Sequence, residues 1–354
     1  MSGLTQSTIF TKAQGSRDNQ GKYSLYFMGP TRAGKTTAIA SLLGFYDTEE
    51  YKWESDAFKL FTGSGQVTPC ETVFVQVDEQ KQSRILIEGL SESEFFKLCE
   101  EYMYLKKHND KRHMPSSIAR FIWEHCRNPK EDVRTPPSHC PSAREVYERA
   151  NYHLCTKTEF LIDSGPNFLQ DVHDRLHEIL FPDRLDCPVP KRVILEISKR
   201  DLDFKLPHFI DKVIDSRAIN EFWDTEDSLV EILENPSYIK VLCHRLSDEG
   251  RCGELRDVLK SHDFSDERLR KLVFYVYLIG GEFSHYFNSE EEITGELWQY
   301  HDDMFSGFDE DKVFWYRPHA GFAGGHSLNP TIVEEGAKKF WKNIEACMKS
   351  QHQN

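Results

Sequence analysis

The hydrophobic residues of this chain fall into short runs separated by amphipathic stretches, a pattern that predicts alternating strands and helices. The first apolar run, residues 23–28, predicts a buried strand. Residues 36–43 have helical composition and are followed by Gly44, a residue that commonly ends a helix. A turn that carries two glycines separates the two elements. The ordered part of the chain is therefore expected to open with a strand, a glycine-bearing turn and a helix.

More strands are predicted further along the chain. Alternating β-branched residues indicate a strand at 72–77, and the polar residues 78–83 suit a hairpin loop. A strand at 84–88 is therefore expected to be the antiparallel neighbour of the strand at 72–77. After Pro190 three more strands are predicted, at 192–197, 209–214 and 238–243.

Helical spacing of apolar residues dominates the middle of the chain and recurs near its end. The predicted helices are 94–107, 115–127, 144–154, 266–278 and 334–348. One strand, at 159–163, is predicted among the helices of the middle region.

These elements predict an α/β fold with a mostly parallel sheet flanked by helices. Residues 1–20 are polar and are expected to form a flexible tail. Residues 21–90 and 188–348 are assigned to the α/β domain. Residues 91–187 are expected to form a largely helical insertion in it.

Composition narrows the class of protein. The 354 residues are 39% hydrophobic and 29% charged, which is ordinary for a soluble globular protein. A net charge of −14 argues against a general attraction to nucleic acid or to anionic membranes. Nine cysteines occur without a secretory signal, and no apolar run reaches membrane-spanning length. A soluble protein of the reducing cytoplasm is therefore expected.

The turn after the first strand carries the clearest chemical signal. Its residues Gly29-Pro30-Thr31-Arg32-Ala33-Gly34-Lys35-Thr36 match the phosphate-loop pattern Gly-x-x-x-x-Gly-Lys-Ser/Thr. Glycines allow main-chain N–H groups to converge on phosphate oxygens, and the following helix points its positive end at them. Lys35 can reach the β- and γ-phosphates, and the Thr36 hydroxyl can ligate magnesium (Mg2+). The pattern predicts a P-loop NTPase.

Hydrolysis also needs a carboxylate near the metal, usually at the end of a second strand. Three predicted strands end close to an aspartate, namely Asp163, Asp201 and Asp215. Sequence reasoning leaves two arrangements open. In the favoured one, Asp215 is the metal-site carboxylate. In the other, Asp163 takes that role, and the segment Ser198-Lys199-Arg200-Asp201 recognises the base of the nucleotide.

The chain resembles dynamin-like and related bacterial P-loop GTPases. The resemblance covers roughly residues 21–80 and 190–250. It is carried by the phosphate loop through Thr37, by Val67-Thr68-Pro69-Cys70, by Val213-Ile214-Asp215-Ser216-Arg217, by residues 224–227 and by residues 239–248.

The resemblance implies a role for each matching residue. Thr68 would lie in the first switch, the segment that closes over the γ-phosphate, and would contact the γ-phosphate and the metal. Thr72 is the alternative candidate for this role. Asp215 would open the second switch and hold magnesium through water. Arg245 and Asp248 would take the place of the guanine-reading residues.

The chain departs from the family pattern twice. The second-switch pattern Asp-x-x-Gly reads Asp215-Ser216-Arg217-Ala218, and alanine restricts the backbone relative to glycine. No Asn/Thr-Lys-x-Asp motif stands where the guanine reader belongs, because the segment that holds Arg245 and Asp248 lacks its lysine.

The function expected from these residues is binding and hydrolysis of a nucleoside triphosphate, with GTP favoured over ATP. The catalytic residues would be Lys35, Thr68 and Asp215, and the magnesium ligands Thr36, Thr68 and Asp215. No residue stands out to orient the attacking water, so acceleration by a protein partner or by self-association is expected. Two alternatives remain: a P-loop ATPase or kinase-like enzyme, and an interaction protein that binds nucleotide with little hydrolysis.

Overall fold

The computed structural model describes eleven stretches of the chain. They are residues 22–30, 33–46, 60, 70–108, 142–180, 186–202, 206–216, 225–245, 272–278, 312–316 and 330–352.

The described residues form a mixed α/β structure. Its strands are β1 (Tyr23–Met28), β2 (Glu71–Val77), β3 (Arg84–Gly89), β4 (Glu159–Leu161), β5 (Pro190–Ser198), β6 (Ile210–Asp215), β7 (Tyr238–Arg245), β8 (Val273–Leu278) and β9 (Val313–Tyr316). Its helices are α1 (Lys35–Leu43), α2 (Glu92–His108), α3 (Ala143–Ala150), α4 (Phe168–Leu180), α5 (Thr225–Glu234) and α6 (Pro330–His352), with a short 3-10 turn at Tyr152–Leu154.

All nine strands join one sheet in the order β4-β3-β5-β2-β6-β1-β7-β8-β9. β1 pairs in parallel with β6 and β7, and the pairs β7–β8 and β8–β9 are parallel as well. The pair β2–β5 is parallel too, but β2 runs antiparallel to β6, and β3 is antiparallel to both of its neighbours. It follows that β2, β4 and β5 run against the direction of β1, whereas β3 runs along it.

The main core lies between the sheet and three helices on one of its faces. Residues alternate in direction along a strand, so Leu25 and Phe27 point to one face of the sheet and Tyr26 and Met28 to the other. The first pair shares a core cluster with side chains of α1, α4 and α6. Phe27 lies 6.3 Å from Phe340 of α6, measured between ring centroids. The packing of these large side chains contributes most to stability, at about 1.5–3 kcal/mol for each.

Helix α2 and helix α3 pack on each other around a separate small cluster of apolar residues. Its centre is Phe95, which stacks on Tyr152 with ring centroids 4.1 Å apart. Helix α2 begins with a capping box. In it, the Ser91 hydroxyl accepts from the Glu94 N–H, and the Glu94 carboxylate accepts from the Ser91 N–H. The predicted boundaries of the insertion, 91 and 187, stay a prediction. Within that region, α4 contributes to the main core and β4 to the sheet.

Most elements predicted from sequence are confirmed, and two predictions are wrong. The strands at 72–77 and 84–88 form no hairpin, because β5 lies between them and pairs with both. Residues 273–278, predicted as part of a helix, form strand β8. Their continuous run of Val, Phe, Tyr and Leu suits a strand with parallel neighbours on both sides, since such strands are apolar on both faces. The predicted helix at 115–127 lies outside the described residues.

Candidate functional site

The turn between β1 and α1 passes very close to the end of β7. Gly29 has a positive φ of 155°, and a Cβ atom there would lie 2.4 Å from the carbonyl oxygen of Cys243. Only glycine avoids this contact, so the first glycine of the motif is required by packing as well as by backbone geometry. Pro30 accepts a hydrogen bond from the Ala33 N–H at 3.1 Å. Thr31 and Arg32 lie outside the described residues.

Helix α1 begins without a side-chain cap. Its N-cap is Gly34, in the left-handed conformation with φ 83°, and its first turn carries no acidic residue. No carboxylate of the first turn therefore accepts from its N–H groups or balances the positive end of the helix dipole. Such a helix end suits an anion. Thr37, the second threonine of this turn, is 6% exposed.

Lys35 is folded back over the loop that precedes it. Its side chain is buried, and Nζ donates hydrogen bonds to the carbonyl oxygens of Gly29 at 3.1 Å and Pro30 at 3.3 Å. The ammonium group is also close enough to the carboxylate of Asp215 to lower its pKa. A buried positive charge is thus placed inside the turn.

Asp215 is the last residue of β6 and lies beside Phe27 of β1 in the sheet. It is 1% exposed, and its Oδ2 accepts a hydrogen bond of 2.6 Å from the Thr36 hydroxyl. Burial raises the pKa of Asp215 to about 6, although the charge of Lys35 and the hydrogen bond from Thr36 both act to lower it. Oδ1 is buried and accepts no hydrogen bond.

These groups fit a magnesium ion. The carboxylate and the hydroxyl are hard oxygen donors, and the orphaned Oδ1 is a buried acceptor that still lacks a hydrogen or a cation. Among the described residues, no cluster of three or more His, Cys, Asp or Glu could hold a metal by itself. Magnesium usually takes one or two protein ligands and completes its shell with water and substrate phosphates, so a site this sparse is suitable for it.

The two candidates for the first switch have different positions. Thr68 lies outside the described residues. Thr72 lies in β2 directly opposite Asp215, is 5% exposed, and shares with it the sheet face on which α1 packs. Thr72 is therefore a strand residue next to the candidate metal site.

One of the two base-reading candidates, Arg245, lies on the neighbouring strand. β7 pairs with β1 so that Met28 is opposite Leu242, and Arg245 ends β7 three residues further on. The strand thus extends past the glycine-bearing turn at the edge of the sheet where open α/β folds bind ligands. Asp248 lies outside the described residues.

Asp163 and Asp201 lie at the opposite edge of the sheet from Asp215. Each follows a strand, β4 or β5, that runs against β1, so their carboxyl ends point away from the glycine-bearing turn. Asp163 is exposed. The side chain of Asp201 is 1% exposed and accepts a 2.5 Å hydrogen bond from the Ser83 hydroxyl. The structure brings Lys35 and Thr36 together with Asp215 and with neither of the other two aspartates.

One part of this site could not be read from the sequence. The main chain of Cys243 contacts Gly29, and its thiol is buried close to both Lys35 and Asp215. Desolvation raises the pKa of this thiol. No local motif marks the residue, because its contact depends on β7 pairing with β1 across more than two hundred residues.

Comparisons with known proteins give no assignment. No family model and no curated protein matches the chain. Two solved structures of an oligomerised bacterial dynamin pair, described in connection with the long-range sensing and tethering of membranes, align with 94% of this chain. Their identities are 10% and 11%, and both TM-scores are 0.34. This chain covers 42% and 50% of their lengths. Likenesses as weak as these carry no argument about the fold or function of this chain.

No described helix has both the length and the apolar character that crossing a membrane requires.

Proposed function

We propose that the protein binds a magnesium–nucleoside triphosphate at the turn between β1 and α1 and hydrolyses it. One observation carries the proposal. Lys35 and Thr36 of the motif converge with Asp215, which lies 179 residues beyond Thr36, at an uncapped helix end. A chance match to the motif would give no reason for a buried carboxylate to accept a hydrogen bond from the motif's threonine.

Each side chain has a distinct task in this proposal. The first-turn N–H groups of α1 and the Lys35 ammonium would bind the phosphates, with Lys35 exchanging its bonds to loop carbonyls for bonds to phosphate oxygens. Thr36 and Asp215 would hold magnesium, which when bound supplies positive charge against the phosphate oxygens. The burial of Asp215 strengthens its attraction to a cation because few water molecules screen the charge.

The nucleotide is proposed to be GTP rather than ATP. This preference rests on the resemblance of the sequence to dynamin-like and bacterial P-loop GTPases. The further roles that follow from it are proposals too: Thr68 as the γ-phosphate sensor, and Arg245 with Asp248 as base-reading residues. Thr31 and Arg32 are assigned to nucleotide binding because they belong to the phosphate-loop motif, and Thr37 is assigned to it on the basis of the resemblance.

Phosphate release from GTP and from ATP tests the proposed function. We expect release by the wild type with magnesium, faster from GTP, and a loss of at least about 100-fold in Lys35→Ala and Asp215→Ala. Asp163→Ala is the matched control, since it removes an exposed aspartate at the other edge of the sheet. A dead Asp163→Ala beside a fully active Asp215→Ala would overturn the assignment.

The same assay separates the alternative classes. Faster turnover with ATP, or transfer of phosphate to an acceptor other than water, would identify an ATPase or a kinase-like enzyme. Tight binding of triphosphate without release would identify a nucleotide-binding interaction protein. Turnover that rises with protein concentration would support self-association as the accelerating step.

We infer a cytoplasmic protein whose nucleotide-dependent partner, or second copy, docks in part on the insertion at 91–187. Cell fractionation with an antibody to the native protein tests the location. Deletion of residues 91–187 is a poor test, because that region contributes helix α4 to the main core.

A further inference from the structure

Thr72 of strand β2 is a buried threonine beside the candidate metal site, and the proposed function gives it no task. In the antiparallel pair of β2 and β6 it lies directly opposite Asp215. The two side chains therefore leave the same face of the sheet, the face on which α1 packs. Thr72 is 5% exposed and Asp215 is 1% exposed, so little water reaches either side chain. A hydroxyl and a carboxylate thus lie next to each other in a dry part of the sheet.

The other neighbours of Thr72 on this face offer its hydroxyl no oxygen. Val193 of β5 is level with Thr72 on the side away from Asp215. Cys70 and Phe74 stand two positions before and after Thr72 along the chain, and both belong to the main core cluster. Valine has nearly the shape of threonine and suits a strand equally well. Apolar packing alone therefore gives no reason for a hydroxyl at this position.

Asp215 has a matching need for a hydrogen-bond donor. Its Oδ2 accepts from the Thr36 hydroxyl, but its buried Oδ1 accepts no hydrogen bond. Its other neighbours on this face, Phe27 of β1 and Val213 of β6, are apolar. Directly opposite residues of an antiparallel pair have Cβ atoms about 4.5–5.5 Å apart, so rotation of a side-chain torsion brings a hydroxyl to a carboxylate. Thr72 is thus the sheet neighbour that can donate to Oδ1.

A donor at Oδ1 has a consequence for metal binding. A carboxylate that is bonded through one oxygen can still turn about its last torsion, because that torsion has broad minima. Carboxylates that hold a metal are commonly fixed by hydrogen bonds from neighbouring side chains. Bonds from Thr36 to Oδ2 and from Thr72 to Oδ1 would fix the plane of the Asp215 carboxylate. An ionised carboxylate has about four lone-pair positions, so both bonds leave room for a cation.

We propose that Thr72 is a positioning residue, whose hydroxyl donates a hydrogen bond to Oδ1 of Asp215 when magnesium and nucleotide are bound. The inference rests on the proposed function, because it takes Asp215 as the carboxylate that faces the metal. It differs from the role of a γ-phosphate sensor, in which Thr72 would take the place of Thr68. A sensor acts on the triphosphate alone, whereas a residue that orients Asp215 acts on magnesium whichever nucleotide is bound.

Magnesium titrations of the full chain test this role. Fluorescent analogues of the preferred triphosphate, GTP or ATP, and of its diphosphate report binding while magnesium is raised from zero in EDTA. Wild type is compared with Thr72→Val, which removes the hydroxyl, and with Thr72→Ser, which keeps it. We expect the apparent magnesium affinity to fall at least about tenfold in Thr72→Val with either nucleotide, and to stay within about threefold of wild type in Thr72→Ser. Nucleotide affinity in EDTA should be the same for all three proteins.

Ser24→Ala is the matched control, because Ser24 is also 5% exposed and donates to an aspartate, Asp211, at 3.0 Å. Asp211 lies near the start of β6, whereas Asp215 ends it. The control should change the apparent magnesium affinity by less than about twofold. Urea denaturation checks that each variant is folded, and Thr72→Ala takes the place of Thr72→Val if the latter is not.

Four outcomes would overturn the inference. They are a wild-type magnesium affinity in Thr72→Val, equal losses in the valine and serine variants, a loss confined to the triphosphate, and a loss that is equally large in EDTA. A wild-type protein that binds neither GTP nor ATP would instead overturn the proposed function, and the inference with it. The failure of the inference and the failure of the proposed function are therefore distinguishable in the same experiment.

Discussion

Two buried aspartates at opposite edges of the same sheet make a close pair for comparison. Asp215 accepts a 2.6 Å hydrogen bond from the Thr36 hydroxyl, and Asp201 accepts a 2.5 Å bond from the Ser83 hydroxyl. Asp215 ends strand β6, and Asp201 follows strand β5. Asp215 is 1% exposed, and so is the side chain of Asp201. Judged by burial and partner alone, the two would be interchangeable.

Their surroundings differ. The Ser83 hydroxyl also accepts from the Ser198 N–H at 2.8 Å, so Asp201 is linked through Ser83 to the end of β5. The second carboxylate oxygen of Asp201, Oδ1, accepts no hydrogen bond but lies 3.5 Å from Nε of Arg200. Asp215 also keeps an oxygen without a hydrogen bond, but it lies beside the Lys35 ammonium group and the uncapped end of helix α1. The comparison teaches that the ammonium group and the helix end around a buried acid, rather than its burial or an oxygen without a hydrogen bond, mark the binding site.

The largest effect is expected at Gly29, where the site and the packing coincide. Gly29→Ala places a Cβ against the Cys243 carbonyl, so we expect a loss of about 3 kcal/mol in stability and at least about 100-fold in nucleotide affinity. Gly165→Ala is the control, since Gly165 has the same φ of 155° with nothing within 4 Å. It should cost about 1 kcal/mol and leave affinity unchanged. Urea denaturation measures the stability of both variants, and calorimetry measures their nucleotide affinity. Equal losses in Gly29→Ala and Gly165→Ala would contradict the account.

Replacing each of the two aspartates by asparagine should change the stability of the protein in opposite directions. Because burial raises the pKa of Asp215 from 3.8 to about 6, its charge opposes folding at neutral pH, by about 3 kcal/mol at most. Asp215→Asn should therefore stabilise the ligand-free protein while abolishing magnesium-dependent nucleotide binding. Asp201→Asn should destabilise it by about 1 kcal/mol and leave binding intact. Urea denaturation at neutral pH measures both, and a destabilised Asp215→Asn would break the comparison.

The gain from Asp215→Asn should also depend on pH. A carboxyl group whose folded pKa lies above its unfolded value lowers stability progressively as pH rises through the interval between them, here from about 4 to about 6. The advantage of the Asn variant over wild type should thus be near zero at about pH 4 and reach its plateau above about pH 6. An advantage that is constant over this interval would show that the carboxylate is not the cause.

A smaller effect than those at Gly29 and Asp215 is expected from Ser83→Ala. The change leaves the Ser198 N–H and one oxygen of Asp201 without their shared partner, which should cost about 1–2 kcal/mol. Nucleotide affinity should stay within about twofold of wild type, because the other edge of the sheet carries the site. Thermal melts and calorimetry on the same samples check this. A matching drop in affinity would show that the two edges are coupled.

Sequence reasoning found the local parts of this structure. β1 and α1 were predictable because an apolar run, a motif and the terminating Gly44 are adjacent in the chain, and Gly44 ends α1 in the left-handed conformation as expected. The choice between Asp163 and Asp215 was not predictable. It depends on strand directions, and these are fixed by pairings between β2, β5 and β6 that are distant in sequence.

The two wrong predictions have the same cause. An antiparallel hairpin of β2 and β3 satisfied every local rule, but β5 pairs with both strands and separates them. β8 is apolar throughout, so its periodicity could not distinguish a buried helix from a strand between two parallel neighbours. In both cases tertiary pairing decided what the local pattern left open.

Isothermal titration calorimetry tests the central claim most directly. Magnesium with GTP or ATP is titrated into the wild-type protein and into Lys35→Met, which keeps the length of the side chain and removes its charge. The account predicts saturable binding by the wild type, weaker by at least about 100-fold in the variant. Absence of binding to the folded wild type, or equal binding by both proteins, would contradict it.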